Sequence, residues 1–237
     1  MAGINDWEFA RNFQAGFLIL GGFNADRKAM EAGIRALKRG RKEFIFDDPI
    51  SGIEDQLKKA VEDGRNKGIN IRSSSLKGYV DSARLASEYG AVVEINAHCR
   101  QPEFLEIGCG QSLMFNPDRL VRIVDTVSKY SEVIVKIRGG LELDYTSISE
   151  RIFEAGAFMI HIDAMVPGGG ADYEIVREIS RMGNVIGNNS IRDAESAKRM
   201  IDSGAKLVSL ARMVLRDKDI FKKLLRDDVL ASSIEVI

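Results

Sequence analysis

The segment 96–102, Asn-Ala-His-Cys-Arg-Gln-Pro, places an amide, an imidazole, a thiol and a guanidinium in close succession. It follows an apolar run at 91–95, which predicts a β-strand. In a barrel of parallel strands, the loops after the strands form one mouth where chemistry takes place. A cysteine there can protonate a substrate, attack it, or only fill space. We therefore interpret this segment as a candidate active-site loop.

Two cations follow in the next predicted strand, where Lys136 and Arg138 share a face because strand residues two apart point the same way. Unpaired cations are costly to bury, so this pair is expected to meet an anion or a polar ring. The alternative is a structural salt bridge with a neighbouring strand. His161, at the end of the following strand, is either a satisfied core group or a ligand-binding residue.

The last two predicted strands end in small polar residues. Asn188, Asn189 and Ser190 follow one strand, and Ala211 and Arg212 follow the other. In many barrels these two loops hold a phosphate, since backbone N–H groups and a helix dipole favour an anion there. The same residues also suit ordinary turns and caps. The glycine-rich stretch at 167–170 is expected to be a flexible loop over the mouth.

Strand-like and helical patterns alternate eight times along the chain, which indicates a parallel sheet. We predict a (β/α)8 TIM barrel in a single domain, residues 1–237. An open doubly wound sheet is the alternative, but the Gly-x-Gly-x-x-Gly turn that would favour it does not follow the first strand. The predicted strands are 17–20, 43–46, 70–73, 91–95, 132–137, 157–162, 184–186 and 206–210. The predicted helices are 26–38, 52–66, 79–89, 117–130, 145–155, 172–182, 192–203 and 219–226.

Composition narrows the class of protein. The chain has 237 residues, of which 45% are hydrophobic, and its formal net charge of −1 gives no electrostatic signature of a dedicated nucleic-acid binder. Two cysteines and no signal peptide predict free thiols in the cytoplasm. The apolar run at 17–20 is too short for a membrane span, and the few Cys and His residues do not indicate a metal site.

The motifs together resemble a known family. The run from Glu94 to Pro102 is similar to the Asn-x-Gly-Cys-Pro-x-Pro signature of tRNA-dihydrouridine synthases. The resemblance covers about half of the chain, from 91 to 215. The overall pattern resembles a short, mostly archaeal branch of barrels related to these enzymes. The wider set of FMN-dependent barrels, including dihydroorotate dehydrogenase, shares the lysine strand and the phosphate loops. The further motifs in register are 108–114, Asn116-Pro117, Lys136-Ile137-Arg138, His161, Gly187-Asn188 and Ala211-Arg212.

The resemblance implies an FMN-dependent oxidoreductase that reduces, or oxidises, a carbon–carbon double bond of a uracil-like ring. It implies Cys99 as the proton donor, and Asn96, His98, Arg100 and Arg138 around the substrate. It implies flavin contacts from Lys136, His161, Asn188, Asn189, Ser190, Ala211 and Arg212. NAD(P)H is a candidate electron donor, and tRNA and a small pyrimidine are candidate substrates. The chain stops where the family's C-terminal helical tRNA-binding domain is expected, and a homo-oligomer is possible.

Two other interpretations stay open. A barrel without flavin could bind a phosphorylated metabolite and use Lys136 as a base or a Schiff-base amine. A barrel that has lost catalysis could bind a partner or RNA. Cys109, between two glycines, is interpreted as a buried spacer.

Overall fold

The computed structural model describes residues 3–232. These residues form one parallel sheet in which the strands follow each other in chain order. Every neighbouring pair is parallel, so each connection crosses back over the sheet through a helix or loop. The strands are β1 Phe17–Asn24, β2 Asn66–Arg72, β3 Val92–Ala97, β4 Val133–Arg138, β5 Met159–Asp163, β6 Asn184–Asn188 and β7 Leu207–Ser209.

The helices begin where the sequence supplies a capping side chain. Asp26 accepts a hydrogen bond from Ala29 N, and Ser75 and Asn116 cap two later helices in the same way. The helices are α1 Trp7–Ala10, α2 Arg27–Lys38, α3 Pro49–Ala60, α4 Leu76–Glu88, α5 Pro102–Leu105, α6 Pro117–Val127, α7 Tyr145–Glu154, α8 Tyr173–Ser180, α9 Ala194–Asp202, α10 Ile220–Leu224 and α11 Asp228–Ala231. Two 3₁₀ helices span Gly110–Leu113 and Arg212–Leu215.

The sheet curls so that one face is concave. Glu94 on β3 hydrogen-bonds to His161 on β5, and His161 hydrogen-bonds to Ser209 on β7, so side chains two strands apart meet inside the curve. The outer face packs against the helices and forms the largest apolar core. Inside the curve, an apolar layer lies towards the N-terminal ends of the strands and includes Ile134, Met159 and Ile186. The polar side chains therefore gather towards the other end.

The prediction of a strand at 43–46 was wrong. These residues have no strand assignment, and β1 pairs directly with β2, which leaves no position in the sheet between them. Instead the rings of Phe44 and Phe46 lie 4.9 Å and 6.0 Å from the ring of Phe23, centroid to centroid. Aromatic and β-branched residues favour a strand, but here packing of the two partly buried rings against the core prevails over that preference.

The other strand predictions were confirmed as strands with shifted ends, and the fold is that of a TIM barrel with seven strands in residues 3–232. The second predicted helix was placed too late, since α3 ends at Ala60 and residue 66 begins β2. Within the described residues, none of the helices combines the length and the apolar character that crossing a bilayer requires. The single-domain assignment stays a prediction, and residues 1, 2 and 233–237 of it lie outside the described residues.

Aromatic side chains from the N-terminal segment and from α10 meet beside the last strand. In the part of the chain that the structure describes, β7 and β1 share no ladder. Phe9 and Phe13, from α1 and the turn after it, lie 5.0 Å apart between ring centroids, and Phe13 is 6.2 Å from Phe221 of α10. These rings join an apolar cluster that includes Val208 of β7. Side-chain packing thus links the N-terminal segment to the last strand and to α10, and we call these contacts the aromatic seam.

The position of Phe46 can be tested through Gly52 of α3. A Cβ at Gly52 would lie 2.1 Å from Cγ of Phe46. Alanine is normally preferred over glycine inside a helix by up to ~1 kcal/mol. We expect Gly52→Ala to lower the free energy of unfolding by about 1–3 kcal/mol instead, because the added methyl group would overlap the Phe46 ring. Chemical denaturation measures this, with Lys59→Ala on the exposed side of α3 as the control. Stabilisation by Gly52→Ala would show that Phe46 does not pack there.

Candidate active site

All of the predicted site residues line one cavity on the concave face, which has a volume of about 1690 Å³. They come from the ends of β3 to β7 and from the loops that follow these strands. The register explains the grouping: Asn96 is level with Lys136, Lys136 with His161, and Asp163 with Asn188. The parallel sheet therefore brings together residues that are far apart in sequence.

The Cys99 loop is held by hydrogen bonds from both sides. The side-chain Oδ1 of Asn96 accepts the backbone N–H of Cys99 at 3.0 Å and that of His98 at 3.3 Å. From the other side, Gln111 N donates to the carbonyl of Cys99 at 2.7 Å. This approach needs glycine at position 110, which has a φ of 62° and where a Cβ would lie 2.3 Å from the same carbonyl. The loop is thus fixed in one conformation, with Cys99 half-buried.

A hydrogen-bonded chain centred on Glu94 crosses the cavity. Glu94 is 1% exposed and accepts from Asn70 Nδ2 at 2.6 Å and from His161 Nδ1 at 2.5 Å. On one side, Asn96 Nδ2 donates to Asn70 Oδ1 at 2.7 Å. On the other, His161 Nε2 lies 2.5 Å from Ser209 Oγ, which accepts from Asn188 Nδ2 at 2.5 Å. The Cys99 loop and the Asn188 loop are therefore connected through a single carboxylate.

Burial and nearby charges determine the protonation states of Glu94 and His161 in this hydrogen-bonded chain. Burial raises the pKa of Glu94. The adjacent His161, the Lys136 ammonium and the hydrogen bond from Asn70 together lower it by more, so the pKa lies below its ordinary value. Burial and the Lys136 charge lower the pKa of His161, although Glu94 opposes them. We therefore assign a carboxylate and a neutral imidazole, with Nδ1–H donating to Glu94 and Nε2 accepting from Ser209.

The two cations of β4 differ in their partners. Arg138 Nη1 lies 3.2 Å from Asp163 Oδ2 on the neighbouring strand, so the structural salt bridge considered from the sequence is present for this residue. The Lys136 ammonium has no hydrogen-bond or ion-pair partner within residues 3–232. It lies beside His161 and Asn96 on the same face. Lys136 is thus a half-buried cation available to an anionic or polar ligand.

The two loops expected to bind phosphate lie side by side. Asn188 Nδ2 donates to the backbone carbonyl of Ser209 at 2.9 Å, which ties the end of β6 to the residue two before Ala211. Asn189 and Ser190 have positive φ values of 96° and 57°, an uncommon conformation outside glycine. The Asn189 amide is directed to Asp163 Oδ1 at 3.1 Å. Arg212 is exposed and begins the second 3₁₀ helix.

Several residues of the site were missed from the sequence. The alternation in β2 and β3 places Asn70 and Arg72 on one face and Glu94 on the face of Asn96, so a period-two reading of these strands would have found them. Ser209 could be found in the same way, two residues before Ala211. Glu43 carries no such signal, because the segment around it is not a strand. Cys109, predicted as a buried spacer, is fully buried.

Comparison with known proteins identifies the family. A model of the dihydrouridine synthase family matches residues 54–233, which is most of the chain. The chain belongs to the dihydrouridine synthase family. Membership makes it an oxidoreductase of the kind that acts on CH–CH bonds, and the predicted family resemblance is confirmed.

Two relatives and one solved structure are similar to the chain. It is 33% identical over 230 residues to an uncharacterized protein of Methanocaldococcus jannaschii, covering 91% of this chain and 87% of that protein. It is 30% identical over 145 residues to a probable tRNA-dihydrouridine synthase of Rhodobacter capsulatus, covering 56% of this chain and 45% of that protein. Its fold is similar to that of dihydroorotate dehydrogenase from Eimeria tenella, crystallised with ferulenol. That likeness has a TM-score of 0.70 at 13% identity and covers 94% of this chain and 78% of that one.

The two histidines of the chain give this family member a testable pH dependence. Burial and then the Lys136 charge lower the pKa of both His161 and half-buried His98, that of His98 well below its ordinary value. Below about pH 6.5 the unfolded chain binds protons that the folded chain does not. We expect the free energy of unfolding to fall on acidification between about pH 6.5 and 5.5, by about 1 kcal/mol for each histidine that stays neutral in the folded chain and about 2 kcal/mol for both. Urea unfolding across this range measures the slope.

His98→Gln provides the matched control for this slope. It removes one of the two histidines and leaves the Glu94 chain in place, so the slope should fall towards the value for one proton. Stability that stays constant or increases on acidification through this range would contradict the assignment of two neutral histidines.

Proposed function

We propose that this chain binds FMN on its concave face and reduces, or oxidises, a carbon–carbon double bond of a uracil-like ring, with Cys99 as the proton donor. The observation that carries the proposal is the unpartnered Lys136 ammonium, which faces the same cavity as Cys99 and lies level with His161. A barrel interior is usually filled with branched apolar residues. Lys136 interacts electrostatically with Glu94, but the Glu94 oxygens are hydrogen-bonded to Asn70 and His161, which leaves the ammonium able to bind an ionic or polar ligand.

The residues around the cavity fit a phosphorylated, ring-bearing cofactor. Lys136, His161 and Asn188 would hold the ring system and its chain, because they offer a cation, an imidazole and an amide on adjacent strands. The terminal phosphate would lie against the loop with Asn189 and Ser190 and the turn with Ala211 and Arg212. Both loops follow neighbouring strands, and Arg212 adds an exposed guanidinium.

The flavin, when bound, supplies the electron pair as a hydride. The residues of the protein supply the proton and position its donor, Cys99. Asn96 and Gln111 hold the Cys99 backbone, so the thiol is presented to the cavity at a fixed position. His98, Arg100 and Arg138 would surround the substrate ring, with His98 neutral and Arg138 neutralised by Asp163. A thiol is a competent general acid near neutral pH.

Flavin binding can be tested directly with the purified protein. We expect a visible flavin spectrum after purification or after reconstitution with FMN. Lys136→Met should weaken FMN binding by about tenfold or more, since it removes a charged hydrogen-bond donor from a half-buried position. Lys59→Met, at an exposed lysine of α3 that does not line the cavity, is the matched control and should bind FMN as the unaltered chain does. Equilibrium titration measures both.

A protein that stays colourless in the presence of FMN would contradict this proposal. If borohydride then traps a covalent adduct between Lys136 and a phosphorylated carbonyl compound, the chain is instead a barrel that uses a lysine amine.

The role of Cys99 has its own test. Cys99→Ala should retain FMN but lose about 10²- to 10⁴-fold in turnover, because the proton donor is missing. A tRNA transcript and UMP serve as alternative substrates, with NADPH as the reductant, and mass spectrometry of the digested nucleosides detects the reduced ring. Cys109→Ala is the control, because this buried thiol does not line the cavity. Unchanged turnover in Cys99→Ala would exclude this cysteine as the acid.

A further inference from the structure

Arg72, at the end of β2, is a buried cation in direct contact with the Cys99 thiol. Its side chain is 1% exposed, and Nη1 lies 3.8 Å from Cys99 Sγ. The guanidinium lies over the ring of Phe104, with Cζ 3.8 Å from the centroid. Its Nη2 donates to the carbonyl of Gly22 at 2.9 Å, whereas its buried Nε has no hydrogen-bond partner.

A carboxylate lies on the other side of the same guanidinium. Glu43 Oε2 accepts from Arg72 Nη2 at 2.5 Å, and the Glu43 side chain is fully buried. The second oxygen of Glu43 accepts from Gln101 Nε2 at 2.7 Å, and Gln101 belongs to the Cys99 loop. Segment 43–46, which was wrongly predicted as a strand, thus places the Glu43 carboxylate beside Arg72. Arg72 lies between a fixed anion and the sulfur of Cys99.

We propose that Arg72 is a positioning residue that stabilises the negative charge on Cys99 Sγ after proton transfer, and that Glu43 limits this effect. The inference rests on the proposed function, in which Cys99 is the acid. In that step the S–H bond breaks, the proton forms a C–H bond with the substrate carbon, and the electron pair stays on sulfur as a thiolate. The hydride for the other carbon comes from the reduced flavin, and water returns a proton to the thiolate afterwards.

The geometry favours this role over a purely structural one. Burying a guanidinium is costly, and one carboxylate would be enough to neutralise it. Yet Nη1 is directed at the sulfur, and in the part of the chain that the structure describes, Cys99 Sγ is the one hydrogen-bond partner of Nη1. A donor already in place where charge will develop stabilises that charge without reorganisation. The buried Phe104 ring covers one face of the guanidinium and shields it from water.

The charge on sulfur can be measured without flavin or substrate. Only the thiolate reacts with iodoacetamide, so the alkylation rate at fixed pH reports how well its surroundings stabilise the anion. Burial raises the pKa of the Cys109 thiol to about 12, so that cysteine contributes little to the reaction. Peptide mass spectrometry assigns the adduct to Cys99.

The variants are expected to shift this rate in opposite directions. Arg72→Met should slow alkylation of Cys99 by about tenfold or more, because the thiolate loses its cation. Arg72→Lys should restore most of the rate, since it keeps the charge. Glu43→Gln, which is nearly isosteric, should accelerate alkylation several-fold, because the guanidinium is no longer shared with a carboxylate. The preference for anionic iodoacetate over iodoacetamide should follow the same order.

A fold control keeps the test decisive. Arg72→Met leaves Glu43 buried without a cation, so the double variant Arg72→Met/Glu43→Gln, which buries no charge at either position, is measured as well. If this folded variant alkylates as fast as the unaltered chain, or if Glu43→Gln slows the reaction, the proposal is overturned. If the rates shift as expected while the protein does not bind FMN, the relation between Arg72 and Cys99 stands and the proposed function fails.

Discussion

The buried carboxylate of Glu94 is the constraint on which the rest of the site depends. A charge with 1% exposure is tolerated only if its oxygens are fully hydrogen-bonded and a cation is near. Asn70 and His161 satisfy the oxygens, and Lys136 supplies the nearby charge. Because a carboxylate only accepts, each neighbour must donate towards it. This requirement sets the orientation of the amides and of the imidazole ring across β2, β3 and β5.

That orientation extends to both ends of the cavity. Towards the Cys99 loop, Asn70 donates to Glu94 and accepts from the Asn96 amide. The Asn96 Oδ1 then accepts the backbone N–H of Cys99. Towards the other loop, His161 leaves its Nε2 free to accept from Ser209, which in turn accepts from Asn188. A single buried anion therefore orients the candidate acid and the candidate cofactor side at once. Polar side chains replace the branched apolar layer that usually fills this part of a barrel.

The sequence predicted the barrel and most of its mouth because strand alternation and loop position are local signals. Lys136, His161 and Asn188 follow from strand ends, and parallel register brings them together without further information. The displaced segment at 43–46 could not be predicted, since its pattern is that of a strand and only competition with β2 for the edge of β1 excludes it. The partners of Arg72 depend on that displacement. Whether Arg138 met a ligand or Asp163 was likewise undecidable before the register was known.

The aromatic seam has a consequence for how the molecule assembles. The Phe13 ring contacts Phe221, which is more than 200 residues away in the sequence, whereas the strand ladders join consecutive strands. Contacts of such high contact order form late, after the loop entropy of the intervening chain has been lost. We therefore expect the concave face to form first as an open trough, whose two sides are joined by these aromatic contacts only late in folding. Since Ser209 lies on the final strand, the hydrogen-bonded chain through Glu94 reaches its full extent at the same moment.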